Sequence, residues 1–328
     1  MSVNETLATN SNLLMYGSMA VYTGAFLAYT LDLASSASRT AQQATASAQA
    51  QPRQLAVSGG GYQLMLDRPA PPALPPRKAA GIAVSLTILA LVLHVAAVVL
   101  RGVATARPPW GNMYEFATAG AAVVTLVYVA ALRWRDLRFL GSFVIGPVLL
   151  TLGLALTVLY TRAGQLVPSL KSVWLAIHVS VAFVASALFT IAFSLTVLYL
   201  VQEWRERRVA SGAAASRSFM DAIPSARDLD LASYRLHAVA FPLWTFTLVA
   251  GAIWAENAWG RYWGWDPKEV WTFVIWVVYA GYLHARATRG WQGRKAAALA
   301  VGGYACILFN FLVVNIYFVG NHSYAGVG

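Results

Sequence analysis

Residues 254–276 read WAENAWGRYWGWDPKEVWTFVIW and hold six of the chain's twelve tryptophans. An indole is large and flat, and its N–H needs a partner when buried, so a cluster of them is out of place in an ordinary loop. Strongly apolar runs flank the stretch on both sides. Tryptophan and tyrosine concentrate at the water–lipid boundary of membrane proteins. The tetrapeptide DPKE has the form of a helix start, with Asp266 as N-cap, Pro267 at the first helical position and Glu269 three residues on, as in a capping box. The stretch therefore reads as the end of one membrane span, an aromatic loop and the beginning of the next span. A boundary belt needs one or two tryptophans per helix end, which leaves Trp259, Trp263 and Trp265 in excess.

Working outward, the whole chain supports a membrane setting. It has 328 residues, 58% hydrophobic and 11% charged, where a soluble domain carries about 25% charged residues. Several apolar runs exceed the roughly 20 residues that cross a bilayer. The fold class expected is all-α, a polytopic integral membrane protein with about eight transmembrane helices, at 13–34, 79–101, 112–132, 139–160, 172–202, 235–256, 267–287 and 295–320. Three parts follow: residues 1–34 with the first span, an Ala/Ser/Pro-rich linker over 35–78 that ends in PAPPALPPRK, and a seven-helix unit over 79–328 with the Trp-rich loop near 254–271. Between spans five and six lies a polar, partly helical loop.

The net charge of +11 is distributed unevenly. Eighteen Lys and Arg fall on one side of the expected topology, and six (Arg101, Arg107, Arg162, Lys171, Arg261 and Lys268) on the other. Cytoplasmic loops are the basic ones, so both termini and the Trp-rich loop are expected outside the plasma membrane. The basic excess thus sets orientation and implies lipid contact, with no call for nucleic acid. A rival reading treats the first span as a signal peptide cleaved near LASSASRTA; its start lacks Lys and Arg and carries Glu5, against the usual basic start. The single cysteine, Cys306, lies in an apolar run, which excludes an internal disulfide, a CxxC redox pair and a cysteine metal cluster.

Five histidines can be placed by side. His178, in SVWLAIHVS, is near the outer end of span five, and His322, in NHSYAG, is just beyond the outer end of span eight. His284 comes late in span seven, near the inner leaflet. His94 lies in the outer half of span two and His237 at the inner start of span six, and both read as structural. Ionisable residues in spans are costly and often mark a functional path. His178 and His322 converge on the surface that carries the Trp-rich loop. Two neutral imidazoles form a natural axial pair for an iron porphyrin, and flat aromatics can pack against its macrocycle.

The segment WGRYWGWDPKEVW resembles the signature of the heme-handling WWD family. SVWLAIHV (172–179), YLHAR (282–286), NHSYAG (321–326) and PPWGNMYEF (108–116) are similar to segments of its CcsA/ResC branch, in the expected order over roughly residues 80–328. The related CcmC and CcmF branches share the Trp motif; eight spans favour CcsA. The resemblance implies cytochrome c maturation of the type called System II. Heme b (iron protoporphyrin IX) would be exported across the bacterial plasma membrane with a ResB/CcsB-type membrane partner and attached to apocytochrome c at CxxCH, with thiols kept reduced by a thioredoxin-like protein. Carried over, His178 and His322 match the outer axial ligands, His284 one ligand of a heme held within the membrane, and Trp259, Trp263, Trp265 and Asp266 the loop that positions the outer heme.

The chain offers no nucleophile of its own, so its part in such a synthase would be positioning, which raises the effective concentration of thiol at vinyl. Lys268 and Arg261 are candidates to pair with the propionates, or are surface cations by lipid headgroups. Two other readings stay open: heme delivery to a chaperone in the CcmC manner, and a non-heme transporter whose aromatic loop is an interfacial lid.

Overall fold

A computed structural model describes residues 3–49, 77–213, 218–288 and 290–322. Among them there is no strand, and eight long helices follow one another: α1 (Glu5–Gln49), α2 (Lys78–Thr105), α3 (Met113–Ala131), α4 (Gly141–Thr157), α5 (Val173–Ala210), α6 (Ala226–Trp259), α7 (Pro267–Thr288) and α8 (Arg294–Leu308). The last continues through a π-helical turn, Phe309–Val314, to Asn315–Tyr317. Each expected span corresponds to one of these helices. α1 runs past the apolar stretch into the segment expected to be linker, and residues 50–76 of that linker lie outside the described residues.

Six helices are long and apolar enough to cross a membrane: α2, α3, α4 with its preceding turn, α5, α6 and α8 with its continuation. The chain is a multi-pass membrane protein. α1 and α7 are long enough but more polar. α1 buries Ser11, Ser18 and Asp32 against its neighbours, and α7 carries tryptophans and tyrosines, His284 and Arg286. Exposed Ile82, Val92, Val99 and Val103 on α2 form an apolar exterior that only lipid or another membrane protein could cover.

Local sequence sets the helix limits. Asn112 caps α3 by accepting the Glu115 N–H at 2.9 Å, and Ser172 caps α5. Ser225 caps α6, and Gly260, at φ 69°, ends it in the left-handed conformation that a glycine adopts without strain. Successive helices alternate in direction. The turns at 106–112, 158–172 and 260–266 and the segment 318–322 therefore share one end, the aromatic end, which the Asn4 N–H joins by bonding the Ala104 carbonyl. The turn at 132–137, the C-terminal end of α5, the start of α6, the C-terminal end of α7 and the start of α8 share the opposite, basic end.

The bundle has two packed regions. α1–α4 close around Tyr22, Tyr29, Tyr128, Leu140, Ile145 and Leu152, all fully buried, and the Tyr128 hydroxyl donates to Tyr29 at 3.2 Å. α5, α6 and α7 meet around Phe189, Trp244, Ile275 and Tyr279, with Phe189 and Tyr279 stacked at 4.0 Å. At the aromatic end of the first region Glu115 is fully buried. It accepts from Arg101 at 3.1 Å, from both terminal nitrogens of Arg107 at 2.7 and 3.0 Å, and from the Gly111 N–H at 2.9 Å. Arg107 in turn donates to the Gly164 carbonyl. This network ties the segment PPWGNMYEF to the turn between α4 and α5.

Candidate functional site

At the aromatic end, α5, α6, α7 and the end of α8 line a cleft of about 1080 Å³ that takes in space open to solvent. Trp244, Trp254, Trp259, Trp263, Phe116 and Phe311 supply its flat walls, and His178, His322, Lys268 and Glu269 its ionisable groups.

His178 stands in the second turn of α5 and lies against α6 at Gly251. A Cβ on Gly251 would come within 2.9 Å of the imidazole Cε1 and 3.2 Å of Nδ1, so the glycine makes the room the ring occupies. Trp254 holds the ring edge-on at 5.6 Å, and its own indole N–H is satisfied by the Ser169 carbonyl at 3.2 Å. The His178 Nδ1 makes no hydrogen bond of regular geometry.

His322 reaches the cavity from the opposite terminus of the helical unit, and Asp266 places it there. Asp266 Oδ1 accepts from the His322 Nδ1–H at 2.8 Å, and Oδ2 accepts from the Asn321 N–H at 2.6 Å. Asp266 also starts α7, since it accepts from the Lys268 N–H at 3.1 Å while Glu269 accepts from the N–H groups of Asp266 and Gly264 at 3.1 and 2.8 Å. Half of the expected capping box is present, the bond from the Asp266 N–H to Glu269, while the Asp266 side chain takes the second helical N–H and does a further task. Burial by itself would raise the Asp266 carboxyl; the His322 ring and the Lys268 and Asn321 N–H groups outweigh it and hold the carboxyl below its ordinary value. A carboxylate on Nδ1 fixes the ring tautomer and directs Nε2 to a ligand, the arrangement found behind metal-binding histidines. Trp259 completes the setting, edge-on to the His322 ring at 4.9 Å.

The other residues expected at the site divide. Trp259 is the last residue of α6, and both it and Trp263 line the cavity. Trp265 is left-handed (φ 59°) and 76% exposed, and touches the site only through Trp263, edge-on at 5.8 Å. The Arg261 guanidinium lies over the Gly264 backbone, in the space any side chain there would fill, and 4.0 Å from Glu269. It clasps the loop and is not part of the cavity wall. His284 is elsewhere: exposed on α7, about 26 Å along the helix axis from Pro267, on a face shared with exposed Phe273 and Val277. His94 and His237 are both fully buried. Tyr22 faces the first at 3.4 Å and the Ser233 carbonyl takes the second's Nδ1–H at 2.8 Å. Gly251, Trp254 and the Lys268–Asn310 contact are site features that no local pattern in the sequence announces.

Among the described residues no three His, Cys, Asp or Glu are grouped to hold a bare metal ion. Two imidazoles in an aromatic-walled cavity suit a metal that arrives already held in a planar macrocycle.

These features define a polytopic helical membrane protein with a Trp-walled, two-histidine cavity at one end. The chain belongs to the cytochrome c assembly protein family, whose model matches residues 110–322, the segment that builds this cavity. It is 32% identical over 272 residues to the cytochrome c biogenesis protein CcsA of Gloeobacter violaceus, covering 68% of this chain and 80% of that one. It is 37% identical over 253 residues to the CcsA protein of Prochlorococcus marinus strain NATL1A, covering 69% and 79%. The structure of a cytochrome c heme lyase, CcmF, superimposes with a TM-score of 0.59 at 15% identity, covering 95% of this chain and 47% of that one. That likeness speaks to the fold.

Proposed function

We propose that this protein acts in cytochrome c maturation by holding heme b in the outer cavity, with His178 and His322 as the two axial ligands, and presenting it to apocytochrome c. The carrying observation is that two histidines 144 positions apart in the chain, from α5 and from beyond α8, line one Trp-walled cavity, each seated by its own device: Gly251 for one and Asp266 for the other. Family membership and the CcsA relatives support the pathway.

In this reading each CxxCH thiol adds across one heme vinyl group: a carbon–sulfur bond forms, the thiol proton goes to the other vinyl carbon, and no net electrons are transferred. Nothing in the chain needs to act as nucleophile. Cys306 sits within α8, away from the cavity lining. The protein's contribution is orientation and exclusion of water. The cavity's Trp faces and fixed imidazoles supply both.

His284, exposed on α7 near the basic end, supports a second station for heme within the membrane, its other ligand coming from a ResB/CcsB-type partner helix laid along the Phe273–Val277 face. The basic excess on the opposite end supports a cavity on the outer, periplasmic side of the bacterial plasma membrane, where a thioredoxin-like reductant would keep apocytochrome thiols free.

The test is the absorption spectrum of the purified protein, alone and with its partner. Bis-imidazole heme gives a sharp Soret band and split visible bands on reduction. His178→Gly and His322→Gly are expected to lose the outer-site component and to regain part of it with added imidazole. An unchanged spectrum in the double variant would overturn the ligand assignment.

A further inference from the structure

Among the described residues, Lys268 is the only Lys or Arg that lines the cavity. It also lines a smaller adjoining space of about 640 Å³, again together with His178 and His322. It therefore shares both spaces with the two proposed ligands. Its backbone is held in the first turn of α7 by Asp266. Its ammonium donates to the Asn310 carbonyl at 3.1 Å.

Asn310 is 4% exposed and lies in the π-helical turn of the last helix. Such turns interrupt the regular ladder and expose backbone acceptors, often at functional sites. The Asn310 amide donates to the Thr272 hydroxyl at 3.3 Å, but its Oδ1 has no hydrogen-bond partner. Asp266, the carboxylate whose field reaches Lys268, is already engaged by His322, Asn321 and the start of α7. A cavity-lining ammonium whose hydrogen bond goes to one neutral carbonyl is an incomplete polar site. A half-buried ammonium with no carboxylate hydrogen-bonded to it is costly, and a carboxylate on the ligand would complete it with a charge-assisted hydrogen bond.

We infer that Lys268, with Asn310 and Thr272 behind it, is the carboxylate subsite of the cavity and pairs with a propionate of the bound porphyrin. This rests on the heme reading above and adds what that reading lacks. Two axial histidines leave the macrocycle free to rotate about the iron axis. A cation at one point of the rim fixes that rotation, and with it the direction in which the vinyl-bearing edge faces. Arg261, the other candidate in the loop, lies over Gly264 and does not line the cavity.

The experiment compares iron protoporphyrin IX with its dimethyl ester, titrated by Soret difference spectra into the purified full chain. The proteins are wild type, Lys268→Met, Lys268→Gln and Lys268→Arg, with His178→Gly as the ligand control. Wild type is expected to favour the diacid over the diester, and the Met and Gln variants to lose about tenfold of that preference. The band positions stay unchanged because the axial ligands are untouched, and Lys268→Arg keeps most of the preference. Reading the diacid-to-diester ratio cancels any general weakening of the fold and the greater apolarity of the ester. A ratio in both neutral variants equal to that of wild type overturns the carboxylate subsite alone. A wild-type spectrum that does not depend on His178 overturns the heme reading and this inference with it.

Discussion

Glu115 and Asp266 are both buried carboxylates at the aromatic end, and the bundle uses them to opposite ends. Glu115, on α3, is saturated by its own protein: two arginines and a backbone N–H meet it, and nothing is left over for a ligand. Asp266, at the start of α7, spends its oxygens on arranging a side chain that faces a cavity. The histidines repeat the contrast. His94 is sealed between α1 and α2 against Tyr22, while His178 lines the cavity. Glu115 and His94 hold helices together, and Asp266 and His178 hold positions at a cavity. The same residue types serve both tasks, so type alone does not reveal the task.

The contrast can be broken by substitution, starting with the largest effect. Glu115→Ala leaves Arg101 and Arg107 buried without their anion, a loss of about 3–5 kcal/mol. It is expected to abolish accumulation of folded protein, read by size exclusion and thermal melting in detergent. Asp266→Asn retains a good helix cap but not the carboxylate behind His322. Its melting curve should stay near that of wild type while heme affinity falls about 10–100-fold, measured by Soret titration. If Asp266→Asn instead unfolds the protein and spares the spectrum, the two carboxylates play the same part and the contrast fails.

Gly251→Ala adds a methyl group where the His178 ring lies. Overpacking of this kind costs about 1–3 kcal/mol, and the outer-site spectrum should weaken with it, whereas Gly→Ala within a helix otherwise stabilises. Trp265→Ala tests the loop. The side chain is 76% exposed, so stability should move by no more than about 0.5 kcal/mol and the Soret band should not shift.

The smallest effect concerns the basic end. A hydrogen bond from Arg138, strengthened by the charges of Arg138 and Arg77, holds the Asp136 carboxyl below its ordinary value. A lowered carboxylate stabilises the fold above its unfolded pKa of about 3.9, and that contribution is lost as pH falls through the depressed folded value. The pair is largely exposed, so the difference in melting temperature between wild type and Asp136→Asn should be slight at pH 6 and vanish toward pH 3.

Much of the site was legible before any coordinates. The excess of Trp in residues 254–276, the capping form of DPKE and the grouping of His178 with His322 on one side follow from composition, spacing and topology. Their placement around one cavity agrees with that reading. What could not be read was azimuth. Trp259 and Trp263 face the cavity and Trp265 faces away, though seven residues contain all three and nothing in the local pattern separates them. Lys268 and Arg261 looked equivalent as cations; one lines the cavity and the other lies over Gly264.

By itself, then, the sequence determined the helices, their alternation and the end at which each polar residue emerges, because these depend on local apolarity, caps and chain length, which are properties of consecutive residues. Only the tertiary structure decided that α5 approaches α6 at a glycine, that the segment beyond α8 returns to Asp266, and that a π-helical turn presents the Asn310 carbonyl to Lys268. Those contacts join residues 42 to 73 positions apart. They arise from how helices rotate and pack against one another, which no stretch of neighbouring residues encodes alone.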